Sequence, residues 1–214
     1  MLFADRADAG RTLAPLLSFL RDADPIVLGL PRGGVPVAWE VARMLGTQLD
    51  IALVRKLGVP GHREYAFGAI GEGDSRVLDP HAVRIFGITE EQAREVEFTE
   101  QDALDRQART LRGHGHPLDP RGRTVIIVDD GIATGATALA ACQIAHARSA
   151  WRVVVATPVA PPGWESKFSS AADDTIAFAT PHPFLAVGQW YRDFDQVTDA
   201  EVTALLDPGG ETPV

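Results

Sequence analysis

Four short apolar runs rich in β-branched residues, at 25–30, 49–54, 123–128 and 152–157, alternate with stretches of helical periodicity, and no other feature narrows the fold as much. Each run is apolar on both faces of an extended segment. That suits strands covered by helices on each side, the environment of a mainly parallel sheet. Between the first two runs Val35, Ala38, Val41, Ala42 and Leu45 share one helical stripe, with Pro36 near its start and Gly46 just past its end. This predicts a βαβ unit. After Val128 a glycine-containing turn leads to a second helix over 136–147 and then to the run at 152–157.

The segment 89–112 reads as a longer polar helix: Thr89 and Gln92 have capping-box spacing, acids crowd its first half, and Arg106, Arg109 and Arg112 close it. We read it as a solvated insertion rather than a binding helix. A further strand is expected at 175–179 and a short final helix at 198–206. The stretch 58–73 holds five glycines and mixed charge, which predicts a long, partly mobile loop with a short strand at 65–70. No Pro/Gly/Ser-rich linker divides the 214 residues, so one domain over 1–214 is expected.

With 45% apolar and 23% charged residues the chain has a globular composition. No apolar run approaches the ~18 residues of a membrane span. No basic-then-apolar leader opens the sequence, and the single Cys142 fits a reducing compartment, so a cytoplasmic protein without a membrane partner is expected. A net charge of -9 would repel a phosphate backbone, which argues against nucleic acid as a partner while leaving small phosphorylated ligands open.

The most informative stretch is 125–137. Val125, Ile126, Ile127 and Val128 make a buried strand that ends abruptly in Asp129 and Asp130; Gly131, Ile132, Ala133, Thr134, Gly135, Ala136 and Thr137 then lead into a helix. Where a strand passes into a helix, free backbone N–H groups and the positive end of the helix dipole converge on a point suited to phosphate. Gly135 permits close approach, and Thr134 and Thr137 can donate hydroxyl hydrogen bonds. Ionised Asp129 and Asp130 only accept, so beside a phosphate they need a group with donors between, and a ribose with two free hydroxyls is such a group. An ordinary strand followed by a solvent-facing acid pair would share parts of this pattern, but not the Thr-Gly-x-Thr that follows. No P-loop and no dinucleotide-binding glycine motif is present.

The stretch 125–137 resembles the phosphoribosyl pyrophosphate (PRPP) signature of type I phosphoribosyltransferases, and the full length resembles the bacterial stand-alone members of that family. The resemblance implies an α/β fold with a mainly parallel central sheet flanked by helices and a small hood built from insertion and C-terminal segments. It implies that Asp129 and Asp130 bind the ribose 2- and 3-hydroxyls and that Gly131 and 133–137 hold the 5-phosphate. Pro31, Arg32, Gly33 and Gly34 follow the first strand as a pyrophosphate-wrapping turn. Arg55 and Lys56 match the basic pair that opens the family's flexible loop, with Lys56 as a pyrophosphate contact, and His62, Arg63 and Glu64 lie in that loop as a lid.

The implied reaction moves phosphoribose to a nitrogen nucleophile through a transition state with positive charge spread over the ribose. Mg2+ would bridge pyrophosphate oxygens and ribose hydroxyls, with Asp129 and Asp130 as candidate protein ligands. Asp129, Asp130, Lys56 and Arg32 form the implied catalytic set. The acceptor, a nucleobase or other small amine, is not fixed. Ala133 stands where 6-oxopurine enzymes carry an Asp, whereas 184–194 is similar to the segment that holds a 6-oxopurine, one residue longer. Trp190 or Tyr191 could stack on a base, or both could pack as a C-terminal aromatic cluster. A regulatory PRPP- or nucleotide-binding protein is the main rival; a homo-oligomer assembled through the 89–112 helix is a third reading. His114 and His116 offer too few ligands for zinc, and Cys142 reads as a buried small hydrophobe.

Overall fold

The computed structural model describes residues 2–113 and 115–207, without the side chain of Arg63; His114, half of the histidine pair noted above, lies outside the described residues. The chain begins with α1 (Arg6–Leu13), capped by the Asp5 carboxylate on the Asp8 N–H, and a 3-10 helix over Ala14–Ala23, neither of which the sequence reading anticipated. Then come β1 (Ile26–Gly29), α2 (Gly34–Leu45), β2 (Gln48–Ile51), β3 (Val54–Val59), β4 (His62–Gly71), β5 (Ser75–Leu78), α3 (Pro80–Ile85) and α4 (Glu90–Arg112). The second half holds β6 (Thr124–Val128), α5 (Ala136–Ala147), β7 (Arg152–Val159), β8 (Asp174–Ala179) and α6 (Asp199–Leu206).

Five strands form one parallel sheet in the order β2-β1-β6-β7-β8. Every residue of β6 is buried, and alternate residues serve opposite layers. Ile126 and Val128 pack with Leu13, Leu17 and Val41 from α1, the 3-10 helix and α2. Val125 and Ile127 pack with Ala138 and Cys142 of α5 and with Phe168. This two-sided burial is why 125–128 of β6 are apolar throughout, and the expected α/β architecture holds.

The run at 49–54 does not form one strand. Gln48–Ile51 joins the parallel sheet, the chain bends at Ala52 and Leu53, and Val54–Val59 enters a second, antiparallel sheet ordered β3-β4-β5. Nor is 58–73 a mobile loop: most of it is the ten-residue β4. Its glycines serve a turn and close packing. Gly61 takes φ +77 between Val59 and its partner His62, and a Cβ on Gly71 would sit 2.6 Å from Cγ2 of Ile144 on α5. Residues 58–73 are glycine-rich because their backbone approaches its neighbours.

The hood over the sheet has its own core, in which Leu57, Phe67 and Ile70 meet Ala93, Leu104 and Leu111 of α4 and Val202 of α6. Helix α4 keeps the predicted capping box, with the Gln92 N–H donating to Thr89 Oγ1 at 3.2 Å, but it is a packed wall rather than a solvated insertion. A buried ionic cluster ties this layer to the sheet. Arg112 donates through Nε and Nη2 to Asp50 Oδ1 of β2 at 3.0 and 2.8 Å and also pairs with Glu72, while Asp50 Oδ2 accepts the Leu118 N–H at 2.8 Å. Burial raises the Glu72 pKa against the pull of Arg112. No helix among the described residues is long and apolar enough to cross a membrane.

Replacing Arg112 with Ala strands two carboxylates where the side chains are only 8 and 10% exposed. The expected loss is about 3–5 kcal/mol, read as a lower urea midpoint at unchanged slope. A loss below about 1 kcal/mol would mean that water replaces the guanidinium at little cost.

Candidate site at the carboxyl edge of the parallel sheet

Strands β1 and β6 are neighbours, with Gly29 opposite Val128, so the turn after β1 and the acids after β6 emerge side by side. The Leu30 N–H donates to the Val128 carbonyl at 2.8 Å, and residues 31–34 then pass directly over the acid pair into α2. A Cβ on Gly33 would collide with the Asp130 carboxylate; one on Gly34 would lie 2.6 Å from the Val128 carbonyl oxygen and 2.9 Å from Asp129 Cα. Both glycines are therefore sterically required, and segments read separately in the sequence form one surface. Pro31 and Arg32 sit on its rim, joined by a cis peptide, with Arg32 Nη1 3.5 Å from Asp199 Oδ1.

The acids differ in their partners. Asp129 Oδ1 accepts the Asp130 N–H at 3.0 Å, while Asp130 Oδ2 accepts Arg6 Nε at 2.8 Å and its main-chain carbonyl accepts the Tyr191 hydroxyl at 2.5 Å. Burial, and secondly the neighbouring Asp130 charge, push the Asp129 carboxyl up to about 8. Asp130 is also raised by burial, with Arg6 opposing the shift. Beyond them Gly131 is buried against Val187, and the Ile132 N–H donates to the Val159 carbonyl at 2.9 Å. Ala133, Thr134 and Thr137 are exposed around Gly135, which takes φ +75 as the N-cap of α5, with Ala136 the first helical residue. The first-turn N–H groups of α5 thus open onto the same edge as the acids. Lys167, which no local pattern singles out, donates through Nζ to the Thr134 carbonyl at 3.2 Å.

A cleft of about 860 Å³ meets this loop at Thr137 and is walled by Arg55, Lys56 and Tyr65 on one side and Glu95 and Glu100 of α4 on the other. Arg55 Nε lies 3.2 Å from Glu100 Oε2 across it, and Lys56 is exposed. The hairpin tip packs on α3, with His62 and Tyr65 against Phe86 at ring-centroid distances of 5.9 and 5.3 Å; Glu64 is exposed beside His62. Arg63 can be placed only by its backbone in β4.

Tyr191 does not present a face for stacking. It is 2% exposed, its ring meets Phe3 at 5.3 Å and Phe194 at 4.9 Å, and its hydroxyl is taken by Asp130, so packing decides its role. Trp190 is half-buried and stacks on Phe184 at 6.2 Å; its indole N–H is buried and finds no acceptor among the described residues. No group of three or more His, Cys, Asp or Glu among the described residues could hold a metal ion. With Arg6 already on Asp130, the acid pair suits Mg2+ only where phosphate and ribose oxygens supply most of the ligands.

The sign of the acid pair's effect on stability follows from its surroundings. A carboxyl whose folded pKa stands near 8 rather than 3.8 binds its proton more tightly when native, so stability is lost as pH rises through that interval. Asp129→Asn is expected to raise Tm near pH 8 and to flatten, though not abolish, the decline in Tm from about pH 5 to about pH 8, since Asp130 and Glu72 are raised too. Parallel profiles for the two proteins would contradict this.

No family model matches the chain. A curated relative from Mycobacterium tuberculosis, carried under the name "Putative phosphoribosyl transferase Rv0571c", is 50% identical over 206 residues, covering 96% of this chain and 46% of its own length. The chain thus spans about half the length of the curated relatives it matches. The crystal structure of TT1426 from Thermus thermophilus superposes with a TM-score of 0.87 at 44% identity, over 96% of this chain and 98% of that one. A Neisseria gonorrhoeae protein solved with bound ppGpp shares the fold at 14% identity, with a TM-score of 0.51 over 97% and 96% of the two chains. This chain shares half of its aligned residues with the curated relatives, each carried under the name "Putative phosphoribosyl transferase", and its twin acids and Thr-Gly-Ala-Thr loop stand at the carboxyl edge of a parallel sheet: the chain belongs to the type I phosphoribosyltransferase family.

Proposed function

We propose that this chain transfers 5-phosphoribose from PRPP to a nitrogen of a nucleobase or small amine, releasing pyrophosphate. The observation that carries the reading is the convergence, at one sheet edge, of the acid pair, the Gly33-Gly34 turn and the N-terminus of α5. Ionised Asp129 and Asp130 accept hydrogen bonds from the ribose 2- and 3-hydroxyls. The N–H groups and hydroxyls of Gly131 and 133–137, with the α5 dipole and the nearby Lys167 ammonium, hold the 5-phosphate.

The turn over 31–34 brings backbone and the Arg32 guanidinium to the pyrophosphate, while Arg55 and Lys56 approach from the hood. When bound, Mg2+ would supply charge that stabilises the departing pyrophosphate. As the C1–O bond breaks, the nearby carboxylates favour the positive charge spreading over the ring; the acceptor nitrogen then bonds to C1 and releases its proton. Trp190, with its covered ring and buried indole N–H, stands closer to a base-facing role than Tyr191.

A non-catalytic PRPP or nucleotide sensor would use the same cradle. The pairing of Arg32 with Asp199 and of Arg55 with Glu100 favours that second reading, because both cations are engaged away from a leaving group. Mass spectrometry of protein incubated with PRPP, Mg2+ and a mixture of bases and amines separates them: a phosphoribosylated product supports the transferase, and binding without product supports the sensor. For either, the double change Asp129→Asn and Asp130→Asn is expected to weaken PRPP binding in calorimetry by about 100-fold or more, two charge-assisted hydrogen bonds being worth roughly 1.5–3 kcal/mol each. Undiminished affinity would remove the acids from the ribose.

A further inference from the structure

We infer that Arg6 is a positioning residue of the ribose site, fixing the orientation in which the Asp130 carboxylate accepts ribose hydroxyls and tying it to the C-terminal segment; this rests on the ribose reading of the acid pair. Arg6 opens α1, 124 residues from Asp130, yet its Nε lies 2.8 Å from Asp130 Oδ2, with the two side chains only 12 and 14% exposed. The rest of the guanidinium is also engaged. Nη1 donates to the Asp195 carbonyl at 2.7 Å, and the cation lies 4.0 Å from the centroid of the Phe194 ring. A planar fork with one edge on a carboxylate, another on a carbonyl and a face on an aromatic ring is fixed in orientation, which a flexible ammonium would not be.

The surrounding chain holds this fork in place. Phe3 bridges to Tyr191 in parallel, the Arg192 N–H donates to the Phe3 carbonyl and the Asp193 N–H to the Ala4 carbonyl, each at 2.9 Å. Tyr191 returns to the main chain of Asp130, and Gly33 closes over the same carboxylate. Asp130 is thus fixed through its side chain by α1 and through its main chain by the C-terminal segment.

The geometry calls for a counter-charge here. Two adjacent carboxylates in a crowded turn repel each other, and a carboxylate left without a partner could swing away from the ligand. Arg6 is the cation that meets Asp130 directly, at 2.8 Å.

The test is calorimetry of ribose 5-phosphate with Mg2+ on wild type, Arg6→Gln and Arg6→Lys, with inorganic phosphate as a second probe. Arg6→Gln is expected to bind ribose 5-phosphate about tenfold or more weakly, and Arg6→Lys to recover part of that affinity. Phosphate alone, which needs only 133–137, should bind all three alike. Wild-type affinity for ribose 5-phosphate in Arg6→Gln, or an equal loss for phosphate, would overturn the inference and leave the ribose reading standing. If Arg6→Gln does not fold, Arg6→Lys decides, and affinity equal to wild type there would overturn it. Failure of the wild type itself to bind ribose 5-phosphate would sink the ribose reading, and this inference with it.

Discussion

Two carboxylates side by side in a crowded turn are the constraint around which this molecule is arranged. Strands β1 and β6 end level with each other, so the chain leaving β1 must cross directly above Asp129 and Asp130. No side chain fits at that crossing, which dictates Gly33 and Gly34. Ions withdrawn from water cost several kcal/mol each unless something replaces the lost hydration. Asp130 has Arg6, whereas among the described residues the Asp129 carboxylate accepts only the Asp130 N–H, so its carboxyl favours the protonated form. An acid pair that is uncomfortable when alone is primed for a ligand that brings hydroxyl donors and positive charge.

The hood is fixed to the sheet by a different device. Arg112 reaches from the last turn of α4 to Asp50 of β2 and to Glu72 just after β4, in a region lined mostly by aliphatic residues and proline, with Arg148 also at its wall. An apolar contact of the same size could hold the layers together as strongly. The guanidinium fork adds direction, because only one placement of the layers satisfies Asp50, Glu72 and the Ile51 carbonyl together. Since β2 adjoins β1, that placement sets where Arg55 and Lys56 stand relative to the acid edge.

Local pattern carried much of this into the sequence. The apolar run 125–128 of β6, the stripe of α2, the capping box at Thr89 and the helix over Ala136–Ala147 all have the structure that their periodicity predicts, because each is decided within a few residues. What misled was glycine at 58–73. The same residue that frees a loop also lets strands and helices pack closely, and only the tertiary neighbours of Gly68 and Gly71 tell these apart. The run at 49–54 hid a bend because its apolar residues after Asp50 continue from one sheet into the other with no turn residue between. In the site, 31–34 and 129–137 were each legible as glycine-containing turns after a strand, but their contact was not. Arg6 and Lys167 had no local signal, since their meaning lies wholly in partners 124 and 33 residues away. Tyr191 carried a signal that pointed two ways, and burial settled it.

The knot formed by residues 3–6, 129–130 and 191–195 also sets an order of assembly in time. Closing such long spans costs little extra free energy, since loop entropy grows only with the logarithm of length. The delay is kinetic. Tyr191 follows Asp130 by 61 residues, which a ribosome adding about 5–20 residues per second makes in roughly 3 to 12 s. During that interval β1, β2, β6 and β7 can already pair, while the acid turn still lacks the phenol that anchors its backbone. A nascent chain therefore has its sheet before its acid turn is anchored, and on the proposed reading ligand capture waits for the segment around Tyr191.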